Sequence, residues 1–116
     1  MKRVFINGSI TEVENIALAM THYKALGYEI IAPIEIYPNY KELLGDKDAE
    51  WVDLQNIGKC DEIICLPSHK NDLAARIRLD LAEMCNVSIV MEEYEKFNAR
   101  KVPVAEVIKP LVSAYC

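Results

Sequence analysis

Apolar and polar positions follow one another in blocks, and the blocks have the lengths of strands and helices. Four apolar runs of strand length cover residues 4–6, 28–32, 62–66 and 87–91, each bounded by glycine, proline or polar residues. Between them, apolar residues recur at helical spacing, for example at Ile16, Ala19, Tyr23 and Leu26. The pattern predicts short buried strands that alternate with helices.

The predicted helices carry recognisable start signals. The first should begin at Thr11, which forms a capping-box pattern with Glu14. The second should cover residues 47–59, after a loop at 33–46. The third should begin at Asn71 or Asp72 and should bury an apolar stripe, which comprises Leu73, Ile77, Leu81 and Met84. A last helix should begin near residue 103, where a proline suits the first turn.

This alternation also predicts the topology of the sheet. Four strands separated by helices favour a parallel sheet with helices on both faces and right-handed crossovers. A chain of 116 residues has room for one domain, covering 1–116. We therefore expect a three-layer, doubly wound α/β domain of the flavodoxin-like (Rossmann-like) type, with a four- to five-stranded parallel sheet in the order 2-1-3-4. In such sheets the ligand binds where the strand order reverses, at the carboxyl ends of the first and third strands.

The composition excludes several classes of partner and cofactor. The net charge is -5 and there is no basic run, which argues against a nucleic acid polymer. The longest apolar runs are of strand length, so we expect no contact with a membrane. The four cysteines lack CxxC spacing, and neither histidine has a cysteine at ligand spacing. We expect free thiols in the reducing cytoplasm, no metal site and no other cofactor.

Two loops should border the crevice. The first comprises Asn7, Gly8, Ser9, Ile10 and Thr11, and the second comprises Pro67, Ser68, His69, Lys70, Asn71 and Asp72. Gly8 permits a sharp turn, and the amides at the start of the next helix favour an anion or a sugar hydroxyl. His69 adds an imidazole that can exchange a proton. Each loop also fits a purely structural role, as a strand-to-helix turn or as a helix cap.

A series of short motifs runs in order from about residue 3 to residue 91. The motifs are Phe5-Ile6-Asn7-Gly8-Ser9-Ile10-Thr11, Glu14-Asn15, Leu26-Gly27-Tyr28-Glu29-Ile30, Ala32-Pro33, Asp53-Leu54, Cys60-Asp61-Glu62-Ile63-Ile64-Cys65-Leu66-Pro67 and the segment 74–82. In this series the chain resembles the nucleoside 2-deoxyribosyltransferase superfamily, especially its short members. The resemblance implies a nucleoside or nucleotide in the crevice and a homodimer or higher homo-oligomer. The segments 94–97 and 112–116 are candidates for the contact between subunits.

The resemblance also bears on catalysis. In the family's enzymes a glutamate of the third helix attacks the anomeric carbon or assists water, since a carboxylate stabilises an oxocarbenium-like transition state. The matching position here is Arg78, which can be neither nucleophile nor base but suits an anion such as phosphate. A catalytic carboxylate would then be Asp72 or Asp80, or would come from a partner subunit. The candidate ligand-binding residues are Asn7, Gly8, Ser9, Ile10, Asp53, Pro67, Ser68, His69, Ala74 and Arg78.

Three functions follow from these observations. The first is a nucleotide-binding protein without turnover. The second is an N-glycosidic-bond hydrolase or 2-deoxyribosyltransferase that acts on nucleosides, deoxynucleosides or nucleotides. The third is an interaction or structural protein that keeps the fold and a relict cleft.

Overall fold

One parallel sheet organises the chain. The structure, a computed structural model, describes residues 1–44, 46–93, 97 and 103–111. Its strands are β1 (Arg3–Asn7), β2 (Glu29–Ile31), β3 (Glu62–Cys65) and β4 (Ser88–Met91). They lie in the order β2-β1-β3-β4, and each neighbouring pair is parallel. The predicted fold class and strand order are therefore confirmed.

In the described part of the chain, four helices lie in the connections between the strands, and a fifth follows the last strand. They are α1 (Val13–Ala25), α2 (Tyr40–Leu43), α3 (Asp46–Ile57), α4 (Leu73–Met84) and α5 (Val104–Val107). Single 3-10 turns cover Ile10–Glu12, Ile34–Ile36 and Pro67–Asn71. The segment 33–46, which we expected to be a loop, thus contains a 3-10 turn, α2 and the first residue of α3.

Strand side chains alternate between two apolar layers. Val4, Ile6, Ile64 and Leu66 pack with residues of α1, whereas Phe5, Ile63 and Cys65 pack with Ile57 of α3 and Ala82 of α4. The alternation follows from the two-residue period of a strand, which sends neighbouring side chains to opposite faces. The sheet is consequently covered by α1 on one face and by α3 and α4 on the other.

The start of α1 differs from the sequence prediction. The Thr11–Glu14 capping box is wrong, because α1 begins at Val13 and is preceded by a 3-10 turn. Ser9 caps that turn: its Oγ accepts a hydrogen bond from the Thr11 N–H at 3.3 Å. Ser9, two residues upstream, thus provides the hydrogen-bond acceptor for the Thr11 amide, as short hydroxyl side chains do in turns.

The buried side of α4 also differs from the prediction. Leu73, Ile77 and Met84 are 72%, 38% and 79% exposed, so the predicted core stripe is wrong. The buried residues of α4 are Ala75, Arg78 and Ala82. Small alanine side chains let the helix lie close to the sheet, and the long Arg78 side chain finds polar partners beneath it, as the site geometry shows. Helical periodicity identified a real apolar stripe but assigned it to the wrong side.

Asp72 caps α4 and gives a first test. Its Oδ2 accepts a hydrogen bond from the Ala75 N–H at 2.9 Å. Asp72→Ala should lower the free energy of unfolding by about 1 kcal/mol, the usual cost of losing such a cap. Urea denaturation measures this loss. Asp72→Asn keeps an acceptor for the Ala75 N–H and should therefore retain most of the stability of the unmodified protein. Asp80→Ala removes an exposed carboxylate from the same helix and should change the value by less than about 0.5 kcal/mol. Equal losses in Asp72→Ala and Asp80→Ala would contradict the assignment.

Candidate functional site

The two predicted loops meet at the carboxyl edge of the sheet. The Leu66 N–H donates to the Asn7 carbonyl at 2.8 Å, and the Ser9 N–H donates to Ser68 Oγ at 3.0 Å. A Cβ atom at Gly8 would lie 3.1 Å from both Leu66 Cδ1 and Ser68 Oγ. Gly8 is therefore the residue that lets the loops approach so closely. As predicted from the strand order, the first loop and the second loop lie side by side.

Ser9 connects the first loop to the start of α4. Its hydroxyl lies 2.8 Å from Thr11 Oγ1 and donates to Asp72 Oδ1 at 3.4 Å. The other oxygen of Asp72 caps α4 through the Ala75 N–H. Both carboxylate oxygens of this half-buried residue are therefore engaged in holding the loop and the helix together.

Arg78 lies directly beneath the first loop. Its side chain is only 5% exposed, and its Nη1 donates to the Gly8 carbonyl at 3.4 Å. Its Nη2 lies 3.6 Å from Asp53 Oδ2. The guanidinium thus joins three parts of the fold, because Gly8 follows β1, Asp53 lies on α3 and Arg78 lies on α4.

Asp53 is the buried counter-ion of Arg78. It is 1% exposed, and its Oδ1 accepts a hydrogen bond from the Ile34 N–H at 2.8 Å. Its Oδ2 has no hydrogen-bond partner among the described residues and faces Arg78 as an ion pair only. Burial raises the pKa of Asp53 to about 7, against the opposing effects of the Ile34 hydrogen bond and the Arg78 charge. Near neutral pH the carboxyl therefore exchanges between its neutral and its charged form.

Two further buried polar side chains complete this edge. Asn7 Nδ2 donates to the Ala75 carbonyl at 2.9 Å, while Asn7 Oδ1 has no hydrogen-bond partner among the described residues. His69 Nδ1 lies 2.7 Å from the Leu66 carbonyl, which can only accept, so the proton lies on Nδ1. This contact orients the ring and turns Nε2 away from the Leu66 carbonyl.

Most of the predicted site residues lie in one connected cluster. We call it the edge cluster, and it comprises Asn7, Gly8, Ser9, Asp53, Ser68, Asp72 and Arg78. His69 joins it through the backbone of the second loop. Pro67 and Ala74 are half-buried beside it, and Ile10 is exposed. Asp80 is exposed and lies about 200° around α4 from Arg78, so it faces away from the cluster.

Some polar groups at this edge were absent from the sequence prediction. Ile34 and Ala75 contribute through backbone atoms, which carry no sequence signal. Glu92 is buried just after β4, and its Oε1 accepts a hydrogen bond from the Tyr23 hydroxyl at 2.8 Å. Burial, reinforced by Glu92, raises the pKa of Tyr23 above its ordinary value. The position of Glu92 directly after a strand was a usable signal for a residue at the carboxyl edge.

A separate groove lies away from the edge cluster. Its volume is about 570 Å³, and it is lined by α1, β2 and α5, including Met20, Lys24, Tyr28, Glu29 and Val107. It shares no residue with the cluster, and none of its lining residues is a buried polar or charged one. We therefore keep the edge cluster as the candidate site, because it contains buried charges and buried oxygen atoms without a hydrogen-bond partner among the described residues.

Two features are absent from the described part of the chain. It holds no group of three or more His, Cys, Asp or Glu side chains placed to bind a metal ion. None of its helices is long and apolar enough to cross a bilayer. The segments proposed for subunit contacts fall largely outside the described residues, except for Phe97, which is buried.

Comparison with known proteins agrees with the topology. The fold is similar to that of the Clostridium botulinum CMP N-glycosidase BcmB, with a TM-score of 0.61 and 19% sequence identity. The alignment covers 79% of this chain and 71% of that chain. No family model matches the sequence, and no curated protein gives a significant match. At this level of identity the likeness shows a shared α/β fold.

The buried Asp53 carboxyl makes stability depend on pH in a specific direction. Its pKa is about 7 when folded and 3.8 as its ordinary value, so the folded chain holds the proton more tightly. The stabilisation that comes from this tighter proton binding is fully present below about pH 4, and it is lost as the pH rises through about 7. Asp53→Asn should therefore become more stable relative to the unmodified protein as pH increases over this window.

Urea denaturation at several pH values between about 4 and 8 measures the difference between the two proteins. Asp80→Asn, which neutralises an exposed carboxylate, is the matched control and should follow the unmodified protein closely. A difference between Asp53→Asn and the unmodified protein that stays constant across the window would contradict the raised pKa.

Proposed function

We propose that this protein binds a nucleotide at the edge cluster and holds it without cleaving its N-glycosidic bond. The observation that carries the proposal is the buried guanidinium of Arg78 beneath the Gly8 turn. In the sequence resemblance it matches the helix position at which that family's enzymes have a nucleophilic glutamate. A cation at that position favours an anionic ligand and cannot attack a sugar carbon.

The groups around Arg78 suit a phosphate or a ribose. Arginine carries five N–H donors, and its contacts with Gly8 and Asp53 involve one donor nitrogen each. The hydroxyls of Ser9 and Ser68 stand on the two loops above it and can turn to a ligand oxygen. The BcmB enzyme, whose fold this chain shares, is named for action on CMP, which supports a nucleotide as the ligand class.

The carboxylates of the cluster argue against turnover. An oxocarbenium-like transition state needs a carboxylate beside the anomeric carbon. Asp53 is buried and is engaged with Ile34 and Arg78, and both oxygens of Asp72 are engaged with Ser9 and Ala75. Neither carboxylate can approach a sugar without giving up contacts that hold the loops in place.

A second candidate is nucleotide N-glycosidase activity. It is favoured by the likeness to BcmB and by Asp72, which is only half-buried. In this reaction water would add to the anomeric carbon, the bond to the base would break, and the base would leave with a proton. Asp72 would then serve as the carboxylate after releasing Ser9.

A ligand panel distinguishes the two candidates. The protein is titrated calorimetrically with CMP, with the other nucleoside monophosphates and with the corresponding nucleosides, and chromatography follows release of the free base. We expect monophosphates to bind more tightly than nucleosides, with no base released. Ser9→Ala and Ser68→Ala should each weaken binding by about 5-fold, the effect of one hydrogen bond of about 1 kcal/mol.

The matched control is Ser88→Ala, an exposed serine on β4, which should bind as tightly as the unmodified protein. Circular dichroism confirms that each variant is folded. Base release that disappears in Asp72→Asn would replace the proposal with the second candidate. If no nucleotide or nucleoside binds, the nucleotide proposal fails altogether.

A further inference from the structure

The Asp53 carboxyl has one oxygen that is balanced by charge alone. The side chains of Asp53 and Arg78 are 1% and 5% exposed, and Asp53 Oδ2 lies 3.6 Å from Arg78 Nη2. That separation is too long for a hydrogen bond, and Oδ2 has no other hydrogen-bond partner among the described residues. The second oxygen, Oδ1, accepts a hydrogen bond from the Ile34 N–H. The charge on Oδ2 is therefore stabilised by the guanidinium only.

The other charges that act on Asp53 are negative. Asp53 lies on α3, which packs against α4 and against the 3-10 turn Ile34–Ile36. The charged groups that influence its carboxyl are Arg78 from α4, Glu35 from the turn and Glu50 from its own helix. Both glutamates disfavour a further negative charge, so among these groups Arg78 alone supports the ionised form. A second anion that draws on the Arg78 charge would consequently favour the neutral form of Asp53.

A nucleotide at the edge cluster brings such an anion. Its phosphate carries about two negative charges near neutral pH. Beside Arg78 the phosphate shares the guanidinium with the Asp53 carboxylate, and the two anions repel each other strongly because few water molecules screen them. Protonation of the carboxylate removes this repulsion. Burial already favours the protonated form, since it raises the pKa of Asp53 to about 7.

We propose that Asp53 determines the charge specificity of the edge cluster by taking up one proton from the solvent when a phosphate binds beside Arg78. The inference rests on the proposed nucleotide binding and adds its coupling to pH. The proton bonds to Asp53 Oδ2, and no other covalent bond forms or breaks. Oδ1 keeps its hydrogen bond from Ile34, while Arg78 keeps its charge for the ligand. A nucleoside brings no negative charge, so its binding leaves the ionisation of Asp53 unchanged.

The coupling has a defined direction. Below about pH 7 most of the Asp53 carboxyl already holds its proton, so phosphate binding needs little uptake. Above about pH 7 the carboxyl is mostly charged and has to be protonated as the phosphate binds. Affinity for a monophosphate should therefore fall as the pH rises further, by up to about 10-fold per pH unit, which is the limit for one proton.

Calorimetric titration with CMP counts the protons that binding takes up. The titration is run at about pH 8, where the phosphate of CMP has already lost its second proton, in Tris and in HEPES, whose ionisation enthalpies differ. The difference in heat between the two buffers gives the number of protons. We expect about half a proton or more for each CMP bound. The same titration with cytidine should show close to none.

Asp53→Asn separates the proton from the structural role of the side chain. The variant keeps an acceptor for the Ile34 N–H and is neutral at every pH. It should bind CMP without proton uptake and, at about pH 8, several-fold more tightly than the unmodified protein. A purely structural role predicts the opposite, namely weaker binding. Glu83→Gln neutralises an exposed carboxylate on α4 and is the matched control, which should behave as the unmodified protein does.

Four results would overturn the inference. CMP that binds without proton uptake would remove the coupling and leave nucleotide binding intact. Equal uptake with cytidine would show that the phosphate is not its cause. Uptake that persists in folded Asp53→Asn would assign the proton to another titratable group of the edge, His69 or Asp72. If no nucleotide binds at all, the proposed function and this inference fail together.

Discussion

The contact between Arg78, Asp53 and the Gly8 carbonyl is the constraint on which the carboxyl edge of the sheet depends. It ties α4 to α3 and to the turn after β1, at a depth where almost no side-chain surface reaches solvent. A buried ion pair is a weak source of stability by itself, because both charges lose their hydration. Removing either partner, however, would leave an uncompensated charge in the core. The pair therefore fixes how the three elements meet more than it stabilises them.

The same contact lies on the side of α4 that faces the sheet. The fully buried residues of α4 are two alanines and Arg78, and the half-buried Leu79 and Leu81 pack against the core from the two edges of that side. Leu73, Ile77 and Met84 are exposed on the outer side of the same helix. The same helix thus has one side that holds a buried charge and an outer side that carries exposed apolar residues.

The sequence predicted the architecture because strand length, helix spacing and element order are local patterns. The order β2-β1-β3-β4 and the meeting of the Gly8 and Ser68 loops follow from those patterns together with the handedness of crossovers. The burial of α4 was mispredicted, since periodicity identifies a stripe but does not say which side faces the sheet. The burial of Asp53 could not be predicted from the sequence either, because its partners are Ile34 and Arg78, which are distant in sequence. Only contacts made in three dimensions distinguish a solvated carboxylate from a buried one.

A double-mutant cycle on Arg78 and Asp53 tests the central claim most directly. Free energies of unfolding are measured at about pH 8, where Asp53 is mostly charged, for the unmodified protein, Arg78→Met, Asp53→Asn and the double variant. Asp53→Asn retains the acceptor for Ile34, so the cycle isolates the charge interaction. We predict that Arg78→Met destabilises the protein by about 3–5 kcal/mol and that the two changes couple by at least about 1 kcal/mol. Additive effects, within about 0.5 kcal/mol, would show that the two residues do not act as a pair and would contradict the account.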